Sequence, residues 1–333
     1  MKVDLANLAV DLGGLVMRNP VCVASGTFGS GQEYAQLWNN STGNSASDSA
    51  RNKTNKSDNC SAVAYSLSDL GALTTKGVSL QAWPGNDGVR IAETSSGMLN
   101  SIGLQNAGVE SFCKDDLAWL ALQDVPVIVN VVGHTYQEYA IVIERLESEP
   151  AVAAYEVNIS CPNVDAGGIT FGIDPIAAAE VTGTCRKVTR RPLIVKLTPN
   201  VTDIGEIARA VEAAGADAIS LINTVAGMAI DVASRSSVFV RGVAGLSGPA
   251  IKPIALYAVH QVAGVVKLPL LGMGGISSLN DVLEFMLAGA TAVAIGSMNF
   301  SDPLLAPRLV TELQNWCEQE GINDIREIIG ALR

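Results

Sequence analysis

The sequence has no C-x-x-C pair, no apolar run near the length of a membrane span, and only two histidines, His134 and His260. Each shortage excludes something. Six cysteines, Cys22, Cys60, Cys113, Cys161, Cys185 and Cys317, are scattered with no secretory signal ahead of them, which argues against zinc, an iron–sulfur cluster or a disulfide framework on this chain. They are expected to be reduced thiols. The stretch 1–17 carries Asp4 and Asp11 within its apolar residues, and no later run approaches the ~20 residues of a membrane helix. Thirty-three acidic residues against 22 basic ones leave a formal charge of -11, a field that repels nucleic-acid phosphates and anionic lipid. The expectation is a cytoplasmic protein with no nucleic-acid and no membrane partner, whose anionic ligands are held by local cations or backbone amides.

What is present is a repeated α/β pattern. Short, continuously apolar, β-rich runs alternate with helical periodicity, the signature of strands buried on both faces of a parallel sheet. Candidate strands are 21–24, 72–75, 127–132, 155–158, 193–196, 218–221, 270–272 and 292–295. Between them, Ile204, Ile207, Ala208 and Val211 follow helical spacing, with Thr202 or Asp203 to cap the start and Gly215 to end it. A second unit repeats the design: Ser278 and Asp281 open a helix, Val282, Phe285 and Met286 form its buried stripe, and Gly289 stops it. The near copies Ala214-Gly-Ala-Asp-Ala and Ala288-Gly-Ala-Thr-Ala each turn a helix into a strand. No G-x-G-x-x-G stands at the first strand–helix turn, which disfavours an open dinucleotide-binding sheet. Eight units predict a (β/α)8 TIM barrel, with residues 1–333 as a single domain.

Two segments stand outside the repeat. Val10, Leu12 and Leu15 around Gly13-Gly14, followed by Asn19-Pro20, predict an N-terminal hairpin beneath the barrel. From Asn39 to Asn59 the chain is almost wholly Asn, Ser, Thr, Asp, Lys and Gly, too poor in apolar groups to offset the entropy of ordering. This polar insertion between the first and second barrel strands is expected to be a disordered surface loop.

Active sites of such barrels form at the C-terminal ends of the strands. Ser25 follows the first run, Lys76 the second, and Asn130 lies in the end of the third; Asn158 closes the fourth, with Cys161 just beyond. Lys196 closes the fifth, and Asn223 and Thr224 follow the sixth. Taken singly, each is an ordinary capping or solvated residue. Together they outline a site. Gly272-Met-Gly-Gly-Ile-Ser-Ser after the seventh strand and Ile295-Gly-Ser-Met after the eighth suit a phosphoryl group bound by backbone amides, although tight turns alone would use the same glycines. Lysines near such an anchor serve a reduced flavin or pyridoxal phosphate, and do not choose between them. Asn100, Asn130, Asn158 and Asn223 offer paired donors and acceptors for a planar, amide-rich substrate such as a pyrimidine.

The run Tyr155-Glu-Val-Asn-Ile-Ser-Cys-Pro-Asn, with Gly167 and Gly168 after it, resembles the active-site loop of class 1 dihydroorotate dehydrogenases. Further matches run through nearly the whole chain: Ala24-Ser-Gly-Thr-Phe-Gly-Ser-Gly, Thr75-Lys-Gly, Asn100-Ser-Ile-Gly-Leu-Gln-Asn, Val195-Lys-Leu-Thr-Pro-Asn, Ile222-Asn-Thr, Leu246-Ser-Gly-Pro-Ala and Gly272-Met-Gly-Gly-Ile. The long spacing, the run Leu246-Ser-Gly-Pro-Ala-Ile-Lys-Pro and the segment Phe28-Gly-Ser-Gly-Gln-Glu-Tyr look most like the catalytic subunit of subclass 1B.

That resemblance implies oxidation of dihydroorotate to orotate in de novo pyrimidine (UMP) biosynthesis, with one FMN per subunit. Cys161 matches the base that takes the C5 proton while hydride leaves C6 for FMN. Substrate-binding positions are Lys76, Asn100, Ser101, Ile102, Gly103, Leu104, Asn158, Asn223 and Thr224. FMN-binding positions are Ser25, Lys76, Gly77, Asn130, Asn158, Lys196, Ile222, Gly248, Gly274, Gly275, Gly296 and Ser297. FAD and a 2Fe–2S iron–sulfur cluster are implied only on a partner subunit that passes electrons to NAD, docked on a homodimer of this chain in a heterotetramer. The insertion is foreign to the family, and Arg241-Gly-Val-Ala-Gly and Gly296-Ser-Met-Asn replace the small-residue stretches that the resemblance leads one to expect near the flavin phosphate. Alternatives are a fumarate-reducing subclass 1A enzyme, a related dihydropyrimidine oxidoreductase, or, from another class, a phosphosugar isomerase or synthase on the same barrel.

Overall fold

The computed structural model describes residues 5–41, 65–160 and 171–333. Eight parallel strands close into a barrel in chain order: Val21–Val23, Ala72–Thr74, Val127–Val131, Val152–Asn158, Leu193–Lys196, Ala218–Leu221, Leu270–Met273 and Ala292–Ile295. The last pairs with the first, Val293 opposite Val21, so no barrel edge is left open. The expected (β/α)8 barrel is therefore borne out. The fourth strand starts three residues before the predicted Tyr155, at Val152. There a bulge makes Val127 and Ile128 face Val152 and Ala154, a skip that the alanine-rich Ala151-Val-Ala-Ala does not announce.

Helices cover the outside. Asp203, rather than Thr202, caps the helix Ile204–Ala213, its carboxylate accepting from the amides of Gly205 and Glu206. Ser278 caps Leu279–Leu287 through the amide of Asp281, and Val282, Phe285 and Met286 are fully buried. The two repeated turns share one hydrogen-bond pattern. Gly215 and Ala216 donate to Glu212 and Val211, as Gly289 and Ala290 donate to Met286 and Phe285, each glycine with positive φ. Among the described residues no helix is long and apolar enough to cross a membrane.

The N-terminal hairpin is present, Val10–Asp11 pairing with Val16–Met17. A Cβ on Gly13 would lie 2.3 Å from the carbonyl oxygen of Asp217, just before the sixth strand, so the hairpin packs against the N-terminal ends of the strands. Leu12 and Met17 are fully buried there. The segment expected to be disordered begins differently. Its first three residues, 39–41, complete the helix Gln32–Ser41, which continues from the turn anchored by buried Trp38. Residues 42–59 lie outside the described part.

One element was not anticipated. A four-stranded antiparallel sheet, Val225–Gly227, Ala244–Ser247, Gly97–Asn100 and Ile91–Thr94 in that order, is built from the connections after the second and sixth barrel strands. Both connections leave from C-terminal strand ends, so this sheet stands at the barrel mouth.

At the opposite end, one arginine ties three carbonyls together. Arg191 Nη1 donates to the backbone oxygens of Glu149 (2.9 Å) and Val152 (2.8 Å), and Nη2 to that of Glu147 (2.8 Å). The Glu147 carboxylate accepts from Thr189 Oγ1 (2.6 Å) and the Tyr155 hydroxyl (2.9 Å). Burial first, and then the Glu147 carboxylate, hold the Tyr155 phenol far above its ordinary value and so neutral. Arg191→Ala strips the donors from three carbonyls at once and should lower the unfolding free energy by about 2–4 kcal/mol, read as an earlier urea midpoint. An unchanged midpoint would remove Arg191 from the account of the barrel floor.

Candidate active site

Side chains alternate along a strand, so Glu156 and Asn158, two residues apart, share a face. That face meets the third, fifth and sixth strands. Glu156 is fully buried. Its Oε2 accepts from Asn130 Nδ2 and lies 3.5 Å from Lys196 Nζ, while Oε1 accepts from Ser220 Oγ at 2.7 Å. The Lys196 side chain is only 5% exposed, so the two opposite charges are taken out of water together.

A chain of hydrogen bonds rises from this cluster toward the mouth. Asn158 Nδ2 approaches Asn130 Oδ1 at 3.5 Å, Ser160 Oγ donates to Asn158 Oδ1 at 2.5 Å, and Asn223 Nδ2 donates to Ser160 Oγ at 2.5 Å. The Tyr139 hydroxyl fixes the backbone carbonyl of Asn158 at 2.9 Å. Beside it, Thr75 Oγ1 accepts from the Asn130 amide and donates to the Lys76 carbonyl. A Cβ on Gly77 would sit 3.3 Å from Asn130 Oδ1, so this turn lies directly on the asparagine. Burial pushes the Lys76 ammonium below its ordinary value, Arg90 adds to the drop, and Asp116 opposes it.

The mouth sheet joins the expected substrate segments. Asn100 Nδ2 donates to the Gly245 carbonyl at 3.3 Å, and a Cβ on Gly245 would lie 2.2 Å from Thr224 Oγ1. Gly245 thus links the Asn100 segment to Thr224, whose carbonyl also accepts from Asn200. Ser101 accepts from Asn86 Nδ2 at 3.0 Å, and the Ile102 carbonyl accepts from the Asn86 amide. Gly103, at φ +72°, packs on the Asn86 side chain, and Leu104 adopts φ 52°, a left-handed conformation secured by Asn106 Nδ2 on its carbonyl.

A glycine-lined corner lies across the last two strands. Gly248, Gly274 and Gly275 all have positive φ; a Cβ on Gly275 would stand 2.8 Å from the Gly248 carbonyl oxygen and one on Gly274 would stand 3.4 Å from Ile222 Cγ1. The connections after the sixth and seventh strands therefore meet there. At Gly296 a Cβ would find nothing within 4 Å, so the corner opens beside it and Ser297. Ser25 follows the first strand, which pairs with the eighth. Lys252, next to Gly275, is committed elsewhere, donating to Asp281 (2.7 Å) and Glu284 (2.9 Å). Burial alone would raise the Asp281 carboxyl, but Lys252 and Ser277 outweigh it and hold it below the usual carboxylate range.

The structure thus joins Asn130 to Asn158 directly, brings Lys196 to them through Glu156 and Asn223 through Ser160, sets Lys76 and Gly77 beside them, and gathers Ile222, Gly248, Gly274 and Gly275 at the corner. Cys161, expected as the base, lies outside the described residues. Cys22, read as core, is fully buried, and burial pushes its thiol up to about 12. Sequence reasoning missed Glu156 and Ser220. The available signal was a carboxylate inside an otherwise apolar strand, two residues before Asn158.

A closed barrel with a paired buried charge, convergent carboxamides and a glycine-lined corner at its C-terminal mouth defines a barrel enzyme. A family model described as dihydroorotate dehydrogenase matches residues 52–316. The chain is 48% identical over 326 residues to the dihydroorotate dehydrogenase B (NAD(+)), catalytic subunit, of Alkaliphilus oremlandii, covering 98% of this chain and 99% of that one. It is 47% identical over 332 residues to the protein of the same name from Pelobacter propionicus, covering 100% and 99%. The chain belongs to the dihydroorotate dehydrogenase family.

Two glycines separate backbone need from open space. Gly275→Ala combines a left-handed φ with a 2.8 Å approach to a carbonyl and should destabilise by about 1–3 kcal/mol. Gly296→Ala meets no atom and should stay within about 0.5 kcal/mol of the parent. Thermal unfolding of the pair measures both; equal losses would contradict the geometry.

Proposed function

We propose that this chain is the FMN-bearing catalytic subunit of a subclass 1B dihydroorotate dehydrogenase, oxidising dihydroorotate to orotate in pyrimidine biosynthesis. The observation that carries the reading is the Lys196–Glu156–Asn130 cluster beneath a mouth whose far corner is lined by Gly248, Gly274 and Gly275. That arrangement fits a cofactor with a phosphate at one end and a ring that gains negative charge at the other. FMN, when bound, accepts the hydride that leaves C6 of the substrate.

The chain's own residues do the rest. Ser25, Gly248, Gly274, Gly275, Gly296 and Ser297 hold the phosphate end; Gly77, Asn130, Asn158, Lys196 and Ile222 hold the ring. Lys196 supplies a cation, shielded from water, where negative charge develops. Lys76 contacts both ring and substrate. Asn100 to Leu104, Asn158, Asn223 and Thr224 orient the pyrimidine amides, and Cys161 takes the proton from C5. In this reading residues 1–333 form one FMN-binding domain in the cytoplasm, with the insertion 39–59 outside its chemistry. Electrons leave through a partner subunit carrying FAD and a 2Fe–2S cluster, docked on a homodimer of this chain, to NAD.

The test uses the purified full chain. It should be yellow, and anaerobic dihydroorotate should bleach it; Cys161→Ala should keep the flavin but slow bleaching by ~10²–10⁴-fold in stopped flow. NADH should form only after the partner subunit is added. A colourless chain that takes up no FMN would overturn the reading, and rapid fumarate reduction would move it to subclass 1A.

A further inference from the structure

We propose that Glu156 is the positioning residue of this site: its buried carboxylate orients Asn130 and offsets the charge of Lys196, and so sets how strongly the barrel stabilises a reduced flavin. The inference rests on the FMN reading above. Nothing in the resemblance gives Glu156 a role, and it lies below the groups expected to touch ligand. It is nevertheless fully buried, a costly place for a carboxylate unless several donors serve it.

The donors are informative. Glu156 Oε1 takes the Ser220 hydroxyl at 2.7 Å, an anchor with no part in the proposed site. Oε2 takes Asn130 Nδ2 and faces Lys196 Nζ at 3.5 Å, and both of these are proposed ring contacts. One oxygen is thus fastened to the barrel wall and the other governs the two residues beneath the ring. Cys22, which also senses Glu156, is kept neutral, chiefly by burial.

Two consequences follow. An ionised carboxylate only accepts, so Asn130 must turn its Nδ2 toward Glu156 and its Oδ1 toward Gly77 and Asn158. A bound ring therefore meets an acceptor at Asn130, suited to an N–H group. In addition, a carboxylate 3.5 Å from Lys196 cancels part of the field that the ammonium projects upward. Replacing it with a neutral amide of the same shape leaves the ammonium less compensated, which favours the anionic reduced flavin.

The experiment is a redox titration of FMN bound to the full chain, with FMN retention and thermal unfolding measured alongside. Glu156→Gln should raise the reduced-to-oxidised flavin ratio at a fixed ambient potential about tenfold, equivalent to about 30 mV for a two-electron couple. Glu156→Asp keeps the charge but draws it back by one methylene, and should move the ratio the same way by no more than about threefold. Lys196→Ala should move it the opposite way. A Glu156 that merely fills space would change unfolding temperature and leave the potential alone. Should the Gln variant fail to fold, the Asp variant is read by itself: a rise within that limit supports the role, and an unmoved or lowered ratio overturns it. A parent chain that binds no FMN overturns both readings, whereas bound FMN with an unmoved potential in Glu156→Gln overturns only this one.

Discussion

The structure turns on a carboxylate buried inside a barrel. An isolated charge in that interior would be neutralised or expelled, so Glu156 is tenable only because three other strands bring it a cation, an amide and a hydroxyl. Closure of the barrel in chain order makes this possible. The third, fourth, fifth and sixth strands are successive neighbours, and side chains from the other three converge on Glu156 of the fourth. The polar cluster in turn fixes the side chains above it. Asn158, Ser160 and Asn223 form a ladder from the buried pair to the mouth, each held by the one below.

The connections add a sheet at the mouth that the barrel alone lacks. The chain leaves the second and sixth strands to form a small sheet, and Gly245 is the point where Asn100 and Thr224 are brought together. Only a residue without a Cβ allows that approach. The floor is built by other means, with the hairpin packed under the strands and Arg191 gathering carbonyls from the connection around Glu147 to Val152. The candidate site and the packed floor thus lie at opposite ends of the barrel, as the geometry of parallel strands permits.

Much of this was legible in the residues. Leu193–Lys196 and Ala218–Leu221 were recognisable because strands covered on both faces must be continuously apolar, and both match the predicted bounds. The strand-end lysines and asparagines were legible for the same reason, as interruptions of those runs. The mouth sheet was not, because strands such as Gly97–Asn100 and Ala244–Ser247 carry glycine and show no clean alternation. The π-helical turn at Cys113–Leu117 has no local marker either. Glu156 was visible as a letter but not as a partner, since its meaning depends on Ser220 and Lys196, which are distant in sequence. Cys161 was singled out by resemblance, and its own bland reading is that of any small apolar residue.

The central claim, that the buried Glu156–Lys196 pair underlies the cofactor ring, is tested most directly by a crystal structure of the chain with its flavin and orotate bound. The account predicts the N1 and O2 edge of the ring within hydrogen-bond reach of Lys196, the phosphate against the amides near Gly275 and Ser297, and Glu156 still holding Asn130 and Ser220. A flavin seated away from Lys196, or a phosphate bound at any other strand end, would contradict it.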